Sequence, residues 1–174
     1  AIYYYLLAAN QNYPMALNNL GVIYFEGKYI KQDINKAINY FILASKNNNI
    51  NAQNSLGFVF YYGNKVPRDI NKAIHYFTLS ANQNNSTAQF MLGFIYSQSM
   101  LVPLDVDKAI YYYSLAAGQN DSNAQCLLGL IYLENKLIAR DINKSIHYLT
   151  LAANRNHSDA QLFLGEIYLD GKYT

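Results

Sequence analysis

Apolar and polar residues follow a pattern along this chain that returns every 36 residues. In residues 51–62 the apolar side chains of Ala52, Leu56 and Phe60 lie four positions apart, and residues 70–81 show the same kind of spacing. Spacings of three and four residues place side chains on one face of an α-helix. Each period is therefore predicted to hold two helices, helix A (51–62 in this period) and helix B (70–81). The fold class predicted is all-α, a run of tandem 36-residue helix–turn–helix repeats.

The repeat keeps its register from end to end. Certain residue types return at one position of every period, without insertion or deletion. The recurring alanines are Ala16, Ala52, Ala88, Ala124 and Ala160, and the recurring glycines are Gly21, Gly57, Gly93, Gly129 and Gly165. These small residues are expected to let neighbouring helices approach closely. The aromatic residues expected to fill the space between helices are Tyr40, Tyr76, Tyr112 and Tyr148.

A single repeat array over residues 1–174 is the predicted domain organisation. The chain starts inside a helix B and finishes just after a helix A, so four full periods lie between two half-repeats. Repeat arrays normally carry polar caps at their ends. Because neither end has that character, we expect a segment of a longer protein, or ends that a partner chain covers.

Residues that favour helix ends stand at the expected places in each period. Aspartate precedes helix B, where its carboxylate can accept the free amide hydrogens of the first turn. Glycine is predicted to close helix A at Gly27, Gly63 and Gly171, and Ser99 and Asn135 replace it elsewhere. The predicted N-caps of helix B are Asp33, Asp69, Asp105 and Asp141. The predicted left-handed residues after helix B are Asn12, Asn48, Asn84, Asn120 and Asn156.

The composition narrows the possible classes of function. The chain is 52% hydrophobic and 14% charged, with a net charge of +2 and no block of like charges. We therefore expect neither disorder nor a surface dedicated to nucleic acid. Cys126 is the only cysteine, which excludes an intrachain disulfide. No apolar run reaches the roughly 18 residues of a membrane span, and no feature of the sequence indicates a compartment.

No pattern in the sequence indicates catalysis, a bound metal or a cofactor, so an enzyme is not expected. His75 and His147 occupy the same repeat position two periods apart, too far to share a metal. Cys126 has no histidine or basic residue three or four positions away to activate its thiol. A ladder of lysines could form a phosphate-binding stripe, but each lysine follows an aspartate by three residues, which favours a local ion pair. These lysines are Lys36, Lys72, Lys108 and Lys144.

The motif that recurs is LGVIYFEG at residues 20–27, followed by DINKAINYF at residues 33–41. It resembles the Sel1-like repeat family, which is related to the tetratricopeptide repeat. The matching residues are Leu20, Gly21 and Tyr24 in helix A and Asp33, Lys36, Ala37 and Tyr40 in helix B. The chain departs from the family in carrying asparagine where a glycine is common after helix B. The resemblance implies a right-handed superhelix, or α-solenoid, with a concave surface lined by A helices, and a role as a scaffold or adaptor.

The positions of helix A that differ between periods are predicted to line that concave surface and to bind a peptide or helix of a partner protein. In the middle periods these positions are mostly apolar and aromatic, and aromatic side chains often dominate the binding energy of protein interfaces. Burial against the next A helix is the alternative for the same residues. The predicted protein-binding residues are Asn54, Phe58, Tyr61, Tyr62, Phe90, Phe94, Cys126, Leu130, Leu133 and Leu162.

Two classes of function are left open by the sequence. The leading one is a scaffold that binds another protein or a peptide. The alternative is a structural spacer or self-assembling module, in which the apolar ends of the solenoid stack on other copies. RNA binding by a helical repeat needs a basic surface, and the acidic residues expected on the concave side oppose it. Neither a nucleic-acid partner nor a membrane span is predicted.

Overall fold

Ten α-helices joined by short loops form the described part of the chain, which contains no strand. The computed structural model describes residues 2–98, 100–134 and 137–169. The helices are α1 (Ile2–Asn10), α2 (Pro14–Glu26), α3 (Ile34–Lys46), α4 (Ile50–Tyr62), α5 (Ile70–Asn82), α6 (Ser86–Ser97), α7 (Val106–Gly118), α8 (Ser122–Glu134), α9 (Ile142–Ala153) and α10 (Ser158–Leu169). The even-numbered helices are the A helices, and the odd-numbered ones are the B helices. Within these described ranges no helix is long and apolar enough to cross a membrane.

The chain divides into two compact units, Ala1–Ala88 and Gln89–Thr174, which we call unit 1 and unit 2. Unit 1 holds α1 to α5, unit 2 holds α7 to α10, and the division falls within α6. In each unit the apolar faces of successive A and B helices pack against each other. Helices α4 and α5 lie within one residue of the predicted spans, which confirms the two-helix period.

The predicted N-caps of helix B are confirmed. In all four repeats the aspartate carboxylate accepts a hydrogen bond, 3.0 Å long, from the backbone amide of the lysine three residues on. The lysine ammonium also lies near that carboxylate, at 3.2 Å for Lys72 and Asp69. It sits over an aromatic ring of helix A as well, 5.1 Å from the centroid of Phe60 in the case of Lys72. The lysine spacing is thus explained by local contacts, as the sequence indicated.

The predicted left-handed residues are confirmed wherever the structure describes them. Gly27 and Gly63 close helix A with φ of 70° and 67°. Gly171, Ser99 and Asn135 lie outside the described residues. The asparagines after helix B all have φ between 58° and 67°, and they are Asn12, Asn48, Asn84, Asn120 and Asn156. The sequence reasoning missed the N-caps of helix A. In each of them a side-chain oxygen accepts a 2.9 Å hydrogen bond from the backbone amide three residues on, and the capping residues are Asn49, Asn85 and Asp121.

Close helix contacts at the recurring glycines are confirmed in four repeats. A Cβ atom on Gly57 would lie 2.5 Å from Cδ1 of Phe77, whose side chain is fully buried. Each of these glycines faces a large residue of the following helix B, and the pairs are Gly21–Phe41, Gly57–Phe77, Gly93–Tyr113 and Gly129–Leu149. Gly165 differs, because no heavy atom of the described residues lies within 4 Å of its Cβ position. The partner of Gly165 at the same spacing would fall beyond residue 174.

Buried glutamine pairs tie helix A to the end of helix B, and the sequence reasoning missed them. Gln83 donates from Nε2 to Oε1 of Gln53 at 2.8 Å, and Gln119 donates to Gln89 at 2.7 Å in the same way. Gln53 and Gln89 are almost completely buried. A buried amide needs such a partner, since an unsatisfied one costs about 1–3 kcal/mol. The pairs therefore hold the α4–α5 and α6–α7 hairpins at their open ends.

The tyrosines of helix B fill the space beside helix A as predicted. Tyr40 stacks on Tyr24 with ring centroids 5.6 Å apart, and Tyr76 stacks on Phe60 at 5.9 Å. The corresponding pairs in unit 2 are Tyr96–Tyr112 and Tyr132–Tyr148, both at 6.0 Å. These rings are half-buried, so one face of each stack contributes to the packing of the hairpin.

Candidate functional site

An apolar groove of about 350 Å³ lies between the A helices α2 and α4 in unit 1. Its floor is Phe41 of α3, and its walls come from the last turns of α2 and α4. Two charged residues of opposite sign, Glu26 and Lys65, also line it. The apolar residues of this α2–α4 groove are Val22, Phe25, Phe41, Phe58, Val59 and Tyr62.

The aromatic wall of the α2–α4 groove is held in place by ring contacts. Phe58 places its ring edge against Phe77, with centroids 5.1 Å apart, and stacks on Tyr62 at 5.8 Å. Tyr61 contacts Tyr62 edge-on, with ring centroids 5.1 Å apart. The guanidinium of Arg68 lies over the Tyr61 ring, 5.3 Å from its centroid. Tyr62 is nevertheless 59% exposed. A rigid aromatic side chain that is already ordered and still accessible loses little entropy on binding.

Unit 2 carries the same groove in a smaller and more polar form. It measures about 240 Å³ and lies at the positions that follow those of the α2–α4 groove by two periods. Its floor is Tyr113, whose hydroxyl lies 3.3 Å from Oγ of Ser97. Burial raises the pKa of Tyr113 to about 12, although the hydrogen bond with Ser97 acts in the opposite direction. The residues of this α6–α8 groove are Ser97, Tyr113, Leu127, Leu130, Ile131 and Glu134.

The predicted binding residues fall into three groups. Phe58, Tyr62 and Leu130 line the two grooves, with Tyr61 beside the first. Asn54 is half-buried one turn before Phe58, and its Oδ1 atom is buried without a hydrogen-bond partner.

Four more of the predicted residues lie in or against the core of unit 2. Phe90 and Phe94 stack at 6.5 Å, and both pack against the core beside Tyr113. Leu133 is half-buried against the core cluster that contains Cys126, and Cys126 itself is only 3% exposed. Burial raises the pKa of the Cys126 thiol to about 11, and the charge of Asp159 acts in the same direction.

Leu162, at the repeat position of Cys126, is 59% exposed on α10. The structure therefore does not bring these two residues onto one surface. The prediction missed the groove residues on α2 and the floor residue Phe41. The α2 residues could have been found from the sequence, because they stand 36 positions before the predicted binding residues of α4. Phe41 could not, because it looks like an ordinary core residue of helix B.

Six consecutive segments of the chain match the sequence model of one family. That family is described as Sel1 repeat, and the matched residues are 1–13, 14–49, 50–85, 86–121, 122–157 and 158–174. The chain belongs to the Sel1 repeat family. A search of curated proteins found no match to it. The predicted fold of tandem helical repeats of 36 residues is confirmed, since each complete Sel1 segment holds one A helix and one B helix.

Solved structures of Sel1 repeat proteins are similar to this array. A protective antigen of uropathogenic Escherichia coli strains that displays an SLR fold is 28% identical, with a TM-score of 0.87 over 97% of this chain and 36% of the antigen. A Sel1 repeat protein from Oxalobacter formigenes is 32% identical, with a TM-score of 0.79 over 92% of this chain and 66% of that protein. A third structure, of a protein from Klebsiella pneumoniae, is 20% identical, with a TM-score of 0.58 over 96% of this chain and 83% of that protein. The chain thus spans about a third of the antigen and two thirds of the Oxalobacter protein.

Membership of the family indicates a broad class of function. Sel1 repeats generally mediate interactions between proteins, and the proteins that carry them are generally non-enzymatic scaffolds. Across residues 2–98, 100–134 and 137–169, no group of histidine, cysteine and acidic side chains is arranged to hold a metal ion. The grooves of this Sel1 repeat array are apolar surfaces with a few polar groups at the edge, which is an arrangement suited to binding.

Proposed function

We propose that this Sel1 repeat array is a scaffold that binds a partner protein by taking an apolar segment of the partner, a peptide or one face of a helix, into the α2–α4 groove. The observation that carries the proposal is the open aromatic wall formed by Phe58 and Tyr62 over the floor residue Phe41. Contiguous exposed apolar surface is unfavourable in water unless a partner covers it. The family's general role in protein interactions supports the same conclusion.

The size of the groove favours a side-chain anchor over a small-molecule ligand. At about 350 Å³ it stands at the lower end of the range for small-molecule sites, roughly 300–1,000 Å³. Glu26 and Lys65 carry opposite charges and can orient a bound segment, because both line the groove.

A matched pair of tyrosine variants tests the proposal. Tyr62 in the groove is 59% exposed, and Tyr111 on α7, outside it, is 58% exposed. Peptides are selected from a random phage-displayed library on the full chain, and their affinities are measured by fluorescence anisotropy. Tyr62→Ala should weaken binding at least about ten-fold, as expected for an aromatic hot spot, whereas Tyr111→Ala should change it less than about two-fold.

A blocking variant gives an independent readout. Ser55 lines the α2–α4 groove, and Leu127 stands at the same repeat position in unit 2. Ser55→Leu is therefore compatible with the fold and fills the groove, so it should also abolish peptide binding. If selected peptides bind Tyr62→Ala and Ser55→Leu as tightly as the unaltered chain, the groove is not the site. A concentration-dependent dimer that Tyr62→Ala dissociates would instead identify a second copy as the occupant.

A further inference from the structure

Positive charge is concentrated in unit 1, at the end of the hairpins where the α2–α4 groove lies. Unit 1 has seven lysine and arginine residues and three aspartate and glutamate residues. Six of the seven cations stand in the loops after α2 and α4 or in the first turn of the B helix that follows, whereas Lys46 stands at the other end of α3. The six are Lys28, Lys31, Lys36, Lys65, Arg68 and Lys72.

Two of these six cations are paired with the caps of helix B. The ammonium of Lys36 lies 4.0 Å from the Asp33 carboxylate, and that of Lys72 lies 3.2 Å from Asp69. Residues 26–36 and 62–72 hold one further carboxylate, that of Glu26. Four cations therefore remain against one carboxylate. We call these four residues the basic rim, and they are Lys28, Lys31, Lys65 and Arg68.

Both loops that carry the basic rim fold back onto the last turns of the A helices that wall the groove. In the first loop the side-chain amide of Gln32 donates to the carbonyl of the groove residue Phe25 at 2.6 Å. In the second loop the backbone amide of Asp69 donates at 3.0 Å to the carbonyl of Phe60, which follows the groove residue Val59. The loops therefore start and finish beside the groove.

Two cations of the basic rim have a direct link to the groove wall. Lys65 lines the groove. The guanidinium of Arg68 lies over the ring of Tyr61, and Tyr61 contacts the groove residue Tyr62. All four side chains of the rim are exposed, so carboxylates of a bound segment can reach them.

The repeat fold does not require cations at these positions. In the third repeat the residues at the same four positions are uncharged, and they are Met100, Leu101, Pro103 and Leu104. That loop follows α6, a wall of the α6–α8 groove, and Glu134 is the one charged residue among the described residues that line this second groove. The two grooves thus share an apolar character and differ in the charge beside them.

We infer that the α2–α4 groove selects partner segments in which aspartate or glutamate flanks the apolar residue that enters it. The inference rests on the proposed function for the apolar residue and adds the charge of the segment. Complementary charge around an apolar contact speeds association and disfavours partners of the wrong sign. Because Glu26 belongs to α2 and Lys65 follows α4, the acidic residues of the segment lie on the α4 side. A nucleic acid or a lipid surface needs a wide basic face, whereas here the four cations border an apolar cleft.

Peptides test the inference without a known partner. They are selected on the full chain from the random phage-displayed library, and their sequences are aligned on the apolar anchor. We expect aspartate and glutamate to outnumber lysine and arginine beside the anchor. Replacing the acidic residues of a selected peptide by asparagine or glutamine should weaken binding about three- to ten-fold in fluorescence anisotropy. Raising the salt from about 50 mM to about 500 mM should weaken binding of the acidic peptide and leave that of the amide peptide nearly unchanged.

Matched lysine variants locate the effect. Lys65 and Lys46 are both exposed, but Lys46 stands about 18 Å along α3 from the end that carries the basic rim. Lys65→Gln should weaken binding of the acidic peptide about three- to ten-fold, whereas Lys46→Gln, the same change of charge, should alter it less than about two-fold. Lys65→Arg keeps the charge and should bind like the unaltered chain. Glu26→Gln, which copies Gln98, should strengthen binding about two- to five-fold.

The failures of this inference and of the proposed function are distinguishable. Selected peptides that need Tyr62, show no excess of acidic residues and tolerate Lys65→Gln would uphold the groove and overturn the acidic segment. Acidic peptides that bind Tyr62→Ala and Ser55→Leu as tightly as the unaltered chain would overturn both, since the rim would then act without the groove. Equal weakening by Lys46→Gln and Lys65→Gln would indicate attraction by net charge alone and overturn the inference. Binding to phosphatidylserine vesicles or to a single-stranded oligonucleotide that is tighter than to the peptides, and that Lys65→Gln abolishes, would overturn it as well.

Discussion

Adding one methyl group at two equivalent glycines should have opposite effects on stability. Gly57 and Gly165 occupy the same repeat position in A helices, so alanine gains about 0.8–1.0 kcal/mol of helix propensity at either site. At Gly57 the new Cβ would lie 2.5 Å from Cδ1 and Cε1 of Phe77. Phe77 is fully buried and packs against Phe58, so its ring has no free space to move into. Overpacking of this kind typically costs about 1–3 kcal/mol.

The net result for Gly57→Ala is a loss of up to about 2 kcal/mol, once the helix propensity is included. Gly165→Ala should instead gain about 0.5–1 kcal/mol, because none of the residues that the structure describes has an atom within 4 Å of its Cβ position. Urea denaturation followed by circular dichroism, with tyrosine fluorescence as a second probe, measures both changes, since the chain contains no tryptophan. Equal stabilisation by the two substitutions would refute the argument that Phe77 limits the space at Gly57.

Three further predictions concern local features. Asn84 has φ of 65°, so Asn84→Gly should leave the free energy of unfolding within about 0.5 kcal/mol, whereas Asn84→Ala should lower it by about 1 kcal/mol in urea denaturation. The hydrogen bond from the backbone amide of Lys72 lowers the pKa of Asp69 below its ordinary value of 3.8, so the charged carboxylate stabilises the fold at pH values above 3.8. The unfolding free energy of the unaltered chain should therefore exceed that of Asp69→Asn at those pH values. The difference should disappear as the pH falls below the folded-state pKa, when the unfolding free energy is measured against pH. Because burial raises the pKa of Cys126 to about 11, iodoacetamide at about pH 8.5 should label it slowly in the folded chain and rapidly in urea, by mass spectrometry.

Features set by neighbours within one period could be read from the sequence. The cap at Asp69 and the left-handed turn at Asn84 depend on residues at most five positions away, and they recur, so one correct interpretation served every repeat. The close contact at Gly57 was predicted for the same reason. Its partner Phe77 lies in the next helix of the same period.

Features set by distant contacts could not be read in this way. Gln53 is polar and looks like a surface residue, yet it is buried because Gln83, 30 residues on, supplies its hydrogen bond. Cys126 and Leu162 share one repeat position, but the first is buried and the second exposed. The repeat position alone does not determine what packs over a residue, so the predicted binding residues scatter between groove, core and open surface.

The pairing of helix A with helix B inside one repeat limits how such arrays can change by duplication and exchange. Tyr113 of α7 needs the hydroxyl of Ser97 in α6, and the equivalent position beside Phe77 is Tyr61. Moving α7 alone next to α4 would bury a phenol without that partner, although Gln53 of α4 could replace Gln89 as the acceptor for Gln119. Segments cut between Asn85 and Ser86, or at the same point of another period, keep every such pair together. Recombination that copies whole A–B hairpins therefore keeps these pairs intact, whereas a crossover inside a hairpin can separate them.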